Sequence, residues 1–183
     1  MVVMESQVML KKGDPAPDFE LLGIDGKKHS LARYEDYEAM LVIFMCNHCP
    51  YVKAKTGAIN EIQNRFGDKV AVIGINSNDP VAYPDDSFEN MKKFAGENGI
   101  KFSYLVDDTQ QVAKKFGAIC TPDPFLFDGE RKLVFHGRID NAMKPEDTAT
   151  EKTMITNIES LLSGKPIAKD FDPSIGCSIK WKK

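Results

Sequence analysis

Two stretches of the chain are apolar at nearly every position, AMLVIFM at 39–45 and VAVIGIN at 70–76. A segment apolar on both faces suits a strand inside a sheet that helices cover on each side. FSYLVD at 102–107 reads as a further strand. Between these runs the period changes to that of a helix. Tyr51, Ala54, Ala58, Ile62 and Phe66 recur at helical spacing from Pro50 onward, and Gly67 can close that helix. The acidic PDDS at 84–87 can open a second helix, with Phe88, Met91 and Ala95 on its apolar face and Gly99 at its end. Thr109 can cap a short helix bearing Val112, Ala113 and Phe116, stopped by Gly117. PFLFDGERKLVFHG reads as a hairpin turning at Asp128-Gly129. Met154, Ile155, Ile158, Leu161 and Leu162 make the face of a last helix, closed by Gly164. Nearer the start, a short strand over 19–22 turns at Asp25-Gly26 into a polar return strand. The tail, 165–183, is rich in turn residues and has no clear period.

The order β-β, β-α, β-α, β-α, β-β, α predicts an α/β fold, a central mixed β-sheet with helices on both faces. No internal repeat and no linker divides the chain, so 1–183 is expected to be one domain with its core over about 13–164. A chain of 183 residues can bury such a core without staples. With 42% hydrophobic residues, 28% charged and a net charge of −3, there is no electrostatic reason to expect nucleic acid or an anionic membrane as partner. No apolar run approaches the roughly 18 residues of a membrane span. MVVMESQVML lacks a basic start and carries Glu5, which makes a poor signal peptide. Four cysteines are too few for a disulfide scaffold in a chain of this size. The expected location is therefore cytoplasmic, where a C-x-x-C pair more often marks redox chemistry or metal than a structural bridge.

That pair is Cys46 and Cys49, in CNHCP. Cys46 falls at the carboxyl end of a predicted central strand, where α/β sheets place their ligands, and at the start of the following helix. Pro50 in the first turn costs that helix no hydrogen bond. A thiolate, not a thiol, attacks disulfides. The positive end of a helix supplies about 0.3–1 kcal/mol toward it, and direct N–H···S bonds would supply the rest. His48 adds charge only when protonated, and with an ordinary pKa of about 6.5 it is mostly neutral at pH 7. The helix end is thus expected to act on Cys46 more strongly, with His48 as a pH-dependent modulator. Two other readings of the same residues exist. A buried cysteine can be a small apolar filler. Cys46 and Cys49 can also be half of a zinc site, which needs two more ligands from among Cys120, Cys177, His48 and His136.

GDPAPDF at 13–19, CNHCP at 46–50 and Thr121-Pro122 before the strand FLFD, taken in this order, resemble the thioredoxin-like superfamily. Within it the chain is most similar to the redoxin or peroxiredoxin-like branch (alkyl hydroperoxide reductase/thiol-specific antioxidant) and to thiol–disulfide oxidoreductases related to cytochrome maturation proteins. The ending PSIGCSIKWK is similar to that of a subgroup of thioredoxin-family proteins. The resemblance implies a thioredoxin-like fold with an N-terminal β extension and a C-terminal tail. It implies a thiol–disulfide oxidoreductase acting on a protein or small-molecule disulfide, with a second redox partner upstream or downstream and no organic cofactor. Cys46 is then the attacking thiol and Cys49 the resolving thiol. Thr121-Pro122 is expected to be cis and to pack beside the disulfide, its backbone turned toward an extended substrate chain. Periplasmic disulfide oxidases with Cys-Pro-His-Cys set a precedent for modulation by His48.

The departures from the family pattern define the alternatives. LVIFM carries no carboxylate where thioredoxins bury an aspartate, so the proton of Cys49 must leave by water, His48 or another group. If Cys49-Pro50 is matched to the Cys-Pro of peroxiredoxins, Cys46 stands in place of their threonine. Their arginine is replaced by Thr121-Pro122-Asp123, leaving Arg138 as a possible substitute, so a thiol peroxidase is the alternative enzyme. A metallochaperone using Cys46, Cys49 and His136 is the alternative of another class, by resemblance to thioredoxin-fold copper chaperones. Cys120 is expected near the active pair, as a packed thiol or an auxiliary one. Cys177 lies in the tail, where position cannot be derived. Asp123 reads as a loop or turn acid, His136 as a structural strand residue, and His29 as solvated surface.

Overall fold

Every residue of the two apolar runs' strand segments is buried, and the two lie side by side in parallel inside an eight-stranded mixed sheet. The computed structural model describes residues 2–183. In chain order its strands are β1 (Val3–Glu5), β2 (Glu20–Gly23), β3 (Lys28–Ser30), β4 (Ala39–Phe44), β5 (Val70–Asn76), β6 (Ser103–Val106), β7 (Cys120–Thr121), β8 (Asp123–Asp128), β9 (Leu133–Gly137), β10 (Phe171–Asp172) and β11 (Ile175–Ser178). The helices are α1 (Pro50–Phe66), α2 (Phe88–Glu97), α3 (Gln111–Phe116) and α4 (Thr153–Leu162). The main sheet runs β10-β9-β8-β4-β5-β6-β2-β3. β4, β5 and β6 are parallel, and β8 returns antiparallel to β4 with Asp123 opposite Phe44.

Alternation along β4 divides the core. Leu41, Ile43 and Met45 face a layer built from Val52, Ile59 and Ile62 of α1, Met91 and Phe94 of α2, and Met154 and Ile158 of α4. Met40, Val42 and Phe44 face the opposite layer with Phe116 of α3, Phe125 and Phe127. There Phe44 meets Phe116 edge-on with ring centroids 5.2 Å apart. Burying each such ring contributes about 1.5–3 kcal/mol before entropy is counted. Helices thus cover both faces, and the α/β, thioredoxin-like architecture read from the sequence holds. No helix among the described residues is long and apolar enough to cross a membrane.

Local expectations fail at three places, each because a tertiary partner overrides a local signal. The acidic PDD does not begin α2. It forms a separate 3-10 turn (Pro84–Asp86) with Asp86 buried, and Ser87 caps α2 by accepting from the Asn90 amide at 3.4 Å. The N-cap position of α3 falls on Gln110, in the left-handed region at φ 61, whose side chain donates to Ser77 O and Lys180 O and gives no cap. Thr109 Oγ1, one residue earlier, accepts from the Gln111 amide at 3.4 Å, and Asp107 Oδ2 takes the Ala113 amide at 2.9 Å. His29 is buried rather than solvated, bonded to Tyr34 Oη at 2.7 Å and to Asp25 at 3.0 Å.

The aperiodic tail is ordered as two strands. β10 extends the main sheet beside β9, and β11 forms a second, three-stranded sheet in the order β1-β11-β7. Register pairs Cys177 with Thr121 and Ser178 with Cys120. Gly176 makes this possible, because a Cβ there would lie 1.9 Å from Thr121 O and 3.1 Å from Pro122 N. Gly176→Ala is therefore expected to force β11 off β7 and to cost about 2 kcal/mol. Gly57→Ala on α1, whose Cβ would meet nothing within 4 Å, should stabilise by about 0.5–1 kcal/mol. Thermal unfolding of the two variants against the parent checks both signs.

Candidate active site

β4 ends at Phe44, Cys46 follows two residues later, and α1 begins only at Pro50. Cys49 is the N-cap residue of α1, with extended backbone at φ −70 and ψ 122. The expectation that Cys46 sits at the start of the helix is corrected here. The first-turn amides lie nearer Cys49, and Cys46 and His48 belong to the connecting turn.

Thr121 gathers the sulfur atoms. Its peptide bond to Pro122 is cis. Cys46 Sγ shares a hydrogen bond with Thr121 Oγ1 at 3.3 Å, and Cys49 Sγ, when it carries its proton, donates to Thr121 O at 3.3 Å. The Sγ of Cys177 is 2.8 Å from that of Cys49. Cys49 thus has both Cys46 and Cys177 as thiol neighbours, and all three are buried. The backbone edge at Thr121, where the resemblance implied an extended substrate chain, is filled by the protein's own β11.

Asp86 supplies the principal charge beside these thiols. Its buried carboxylate accepts from the Asn47 amide at 2.7 Å, Asn78 Nδ2 at 2.7 Å, Asn76 Nδ2 at 3.3 Å and His48 Nδ1 at 2.6 Å. Burial pushes Asp86 up, but the hydrogen bonds from His48, Asn78 and Asn47 outweigh it and hold the group below its ordinary range. The hydrogen bond to Asp86 raises His48 against partial burial. His48 also stacks on Tyr83, ring centroids 5.6 Å apart. The charge expected to assist Cys46 is therefore neutralised by Asp86. Cys46 is instead pushed well up, by its donation to Cys49, by burial and by the Asp86 carboxylate. Cys49 is held down, first by the Cys46 thiol and then, against burial, by the Cys177 thiol and the nearby amides of Val52 and Cys177. In the reduced site the anion settles on Cys49.

Asp86 escaped the sequence reading because an acid before a helix has an ordinary explanation. The signal that could have found it is the set Asn47, Asn76 and Asn78, three amides flanking buried strand ends with no surface reason to be there. Beside His48 opens a groove of about 340 Å³ lined by Asn47, Lys53, Asp85, Asn90 and Phe94.

The remaining candidates fall elsewhere. His136 Nε2 is bonded to Asp123 Oδ1 at 2.7 Å, and its ring stacks on Phe125 at 4.0 Å. It does not join the cysteines, so the metal site of Cys46, Cys49 and His136 is not formed. Among the described residues, the ligand atoms that cluster are those of Cys46, His48 and Asp86, all within 4.8 Å of one another. Asp86 Oδ1 and Oδ2 already hold four donors there. Asp123 is no turn acid; it opens β8, fully buried, with Ser174 Oγ at 3.3 Å. Cys120 faces Ser174 and Asp123, and burial, then the Asp123 charge, push it up strongly, which makes it an inert packed thiol. Arg138 is tied to Asp172 and reaches no thiol.

Comparison with known proteins agrees with this architecture. Two solved chains of comparable length are similar to this chain throughout. A conserved protein from Geobacillus kaustophilus superposes at TM-score 0.93 with 40% identity, covering 100% of this chain and 97% of its own. A hypothetical protein from Sinorhizobium meliloti 1021 gives 0.92 with 38% identity, covering 97% of this chain and 98% of its own. Among curated sequences, the thiol-disulfide oxidoreductase ResA of Geobacillus thermodenitrificans is 26% identical over 122 residues, 66% of each chain, just under two thirds of its length. Peroxiredoxin Bcp of Escherichia coli is 22% identical over 156 residues, 81% of this chain and 94% of its own. Both curated relatives carry names of thiol-based redox proteins, and the chain is similar to them over these lengths. The model of the AhpC/TSA family matches residues 12–136, well over half of the chain, and the protein belongs to that family.

Proposed function

We propose that the protein is a thiol–disulfide oxidoreductase that cycles Cys46 and Cys49 between dithiol and disulfide, using a protein or small-molecule disulfide as substrate. The observation that carries the reading is the convergence of both thiols on Thr121, beside the cis Pro122; Cys49 is there the more acidic of the two and Cys46 the less. Both sulfur atoms are buried, but Cys46 Sγ lies within 4.8 Å of a ring nitrogen of His48, which lines the groove, whereas Cys49 contacts Thr121 O and Cys177. Substrate therefore meets Cys46.

As Cys46 attacks a substrate disulfide, its proton passes to the Cys49 thiolate, and the first substrate thiolate leaves. That thiolate takes the proton back from Cys49. Cys49 then attacks Cys46 Sγ, closing the Cys46–Cys49 disulfide and releasing the second substrate sulfur. Cys49 thus supplies the base that LVIFM, without a carboxylate, does not. A second reading, thiol peroxidase, is favoured by one observation: the stabilised thiolate lies at the helix N-cap before Pro50, the arrangement matched to a peroxiredoxin Cys-Pro. Against it stands Arg138, engaged by Asp172.

Cys46→Ser is expected to abolish disulfide reductase activity, whereas Cys49→Ser should accumulate mixed disulfides at Cys46, because attack survives and resolution does not. Mass spectrometry of the quenched reaction separates the two outcomes. Reduced protein should consume hydrogen peroxide no faster than an ordinary low-pKa thiolate. A much faster stopped-flow rate, lost in Cys49→Ser, would select the peroxidase reading.

The His48–Asp86 pair carries a pH signature. His48 is raised from an ordinary 6.5, so its share of stability is complete below about 6.5 and fades as pH rises through the folded value. Asp86 is lowered from 3.8, so its share is present above about 4 and is lost as pH falls through the folded value. Asp86→Ala should therefore cost most between about pH 4 and 6.5, on the order of 3 kcal/mol, and less at higher pH. The same change should return His48 toward its ordinary value and lower the Cys46 pKa. Chemical denaturation across pH, NMR titration of His48 and thiolate absorbance check these in turn.

A further inference from the structure

The 2.8 Å contact between Cys49 Sγ and Cys177 Sγ, across 128 positions of sequence, has no part in a two-cysteine cycle. It is a built contact rather than a loose meeting of side chains. Cys177 lies inside β11, paired on one edge with Thr121 and on the other with Val3. Just before it, Gly176 rests on the Thr121 carbonyl, a place closed to any residue with a Cβ. Just after it, the tail is fastened at several points. The Ile179 amide donates to Ile119 O at 2.9 Å and the Lys180 amide to Asn78 Oδ1 at 2.9 Å, while Lys180 O accepts from Gln110 Nε2 at 2.9 Å. Asn78 in turn holds Asp86. The strand that presents Cys177 is thus joined to the same network that places Cys46 and His48.

A disulfide needs its two sulfur atoms at about 2.0 Å, with Cβ atoms about 3.8 Å apart. From 2.8 Å the remaining approach is under about 1 Å. Cys49 has two sulfur neighbours, Cys46 and Cys177, and can bond to only one at a time.

We infer that Cys177 is a third redox thiol, which takes over Cys49 from Cys46 by internal disulfide exchange. The inference rests on the proposed Cys46–Cys49 cycle. In the reduced site burial and then the Cys49 sulfur push the Cys177 thiol up to about 12. Once Cys49 is bound in the Cys46–Cys49 disulfide its charge is gone, and Cys177 gives up its proton as it attacks Cys49 Sγ. The Cys49–Cys177 bond forms, the Cys46–Cys49 bond breaks, and Cys46 leaves as the thiolate. The proton lost by Cys177 is gained by Cys46, and no electron enters or leaves the protein. The exchange stores the oxidising equivalent in the buried pair and returns Cys46 as a thiol while the protein is still oxidised. The reductant class that must then regenerate it is a dithiol able to reach a disulfide lying under β11.

The test oxidises the full chain with glutathione disulfide, blocks remaining thiols with an alkylating agent after acid quench, and maps linked peptides by mass spectrometry. In the parent, both Cys46–Cys49 and Cys49–Cys177 linkages are expected, with Cys46 alkylated in proportion to the second. In Cys177→Ser that alkylation of Cys46 should be lost, a change that a purely structural cysteine would not produce. In Cys46→Ser, which lacks the Cys46–Cys49 disulfide from which the exchange starts, the Cys49–Cys177 linkage should form far more slowly than in the parent. A parent map in which Cys46–Cys49 forms but no Cys49–Cys177 linkage appears at any redox poise, or Cys49–Cys177 formation in folded Cys46→Ser as fast as in the parent, would overturn the inference. The earlier reading fails separately: a parent map with Cys49–Cys177 but no Cys46–Cys49 linkage under any redox poise would remove the two-cysteine cycle. Should Cys177→Ser not fold, Cys177→Ala and the parent map carry the same comparison.

Discussion

The backbone of Thr121 is the constraint on which the site depends. Its carbonyl receives the Cys49 thiol, its hydroxyl meets Cys46, and its strand edge is paired with Cys177. A strand ladder fixes register residue by residue, and a slip of one would turn each side chain to the other face. Holding Thr121 in place therefore positions sulfur atoms from the end of β4, the cap of α1 and the C-terminal tail together. Thr121 is itself held because β8, which begins two residues later, lies antiparallel to β4 along its full length. The strand that delivers Cys46 is thus the strand that anchors the loop meeting it.

A second dependence is electrostatic. A buried carboxylate is costly unless it is paired and hydrogen-bonded, and Asp86 is both. Meeting its needs draws the Asn76–Asn78 segment, the turn at 84–86 and the Asn47-His48 link around one point. The consequence for chemistry runs opposite to what a histidine inside a C-x-x-C motif suggests. His48 and Asp86 neutralise each other, the carboxylate disfavours charge on Cys46, and the anion moves to Cys49, where thiols and amides receive it. A proton exchanged between neighbouring sulfur atoms then replaces one passed to a buried acid.

Much of the architecture is legible in the residues because it follows from local rules. Unbroken apolar runs can only be interior strands, and their lengths match β4 and β5 closely. Helical spacing and glycine stops delimit α1 and α4 to within a residue or two. The C-x-x-C pair and Thr121-Pro122 were visible as motifs, and the family pattern brought them together before the sheet did.

What the sequence by itself determined, then, is the α/β class, the order of its elements, and the four thiols with two of them at a strand–helix junction. These depend on periodicity and on spacing within a few residues. Tertiary structure alone decided the rest. It paired an aperiodic tail through backbone hydrogen bonds, which carry no side-chain signature. It buried Asp86 and Asp123 by surrounding them with donors from distant segments, where the local context of each read as a turn or a helix start. It also set Cys177 against Cys49, 128 positions away. A contact at that separation is specified by the register of two strands and by one glycine that lets them close, neither of which leaves a pattern at the cysteine itself.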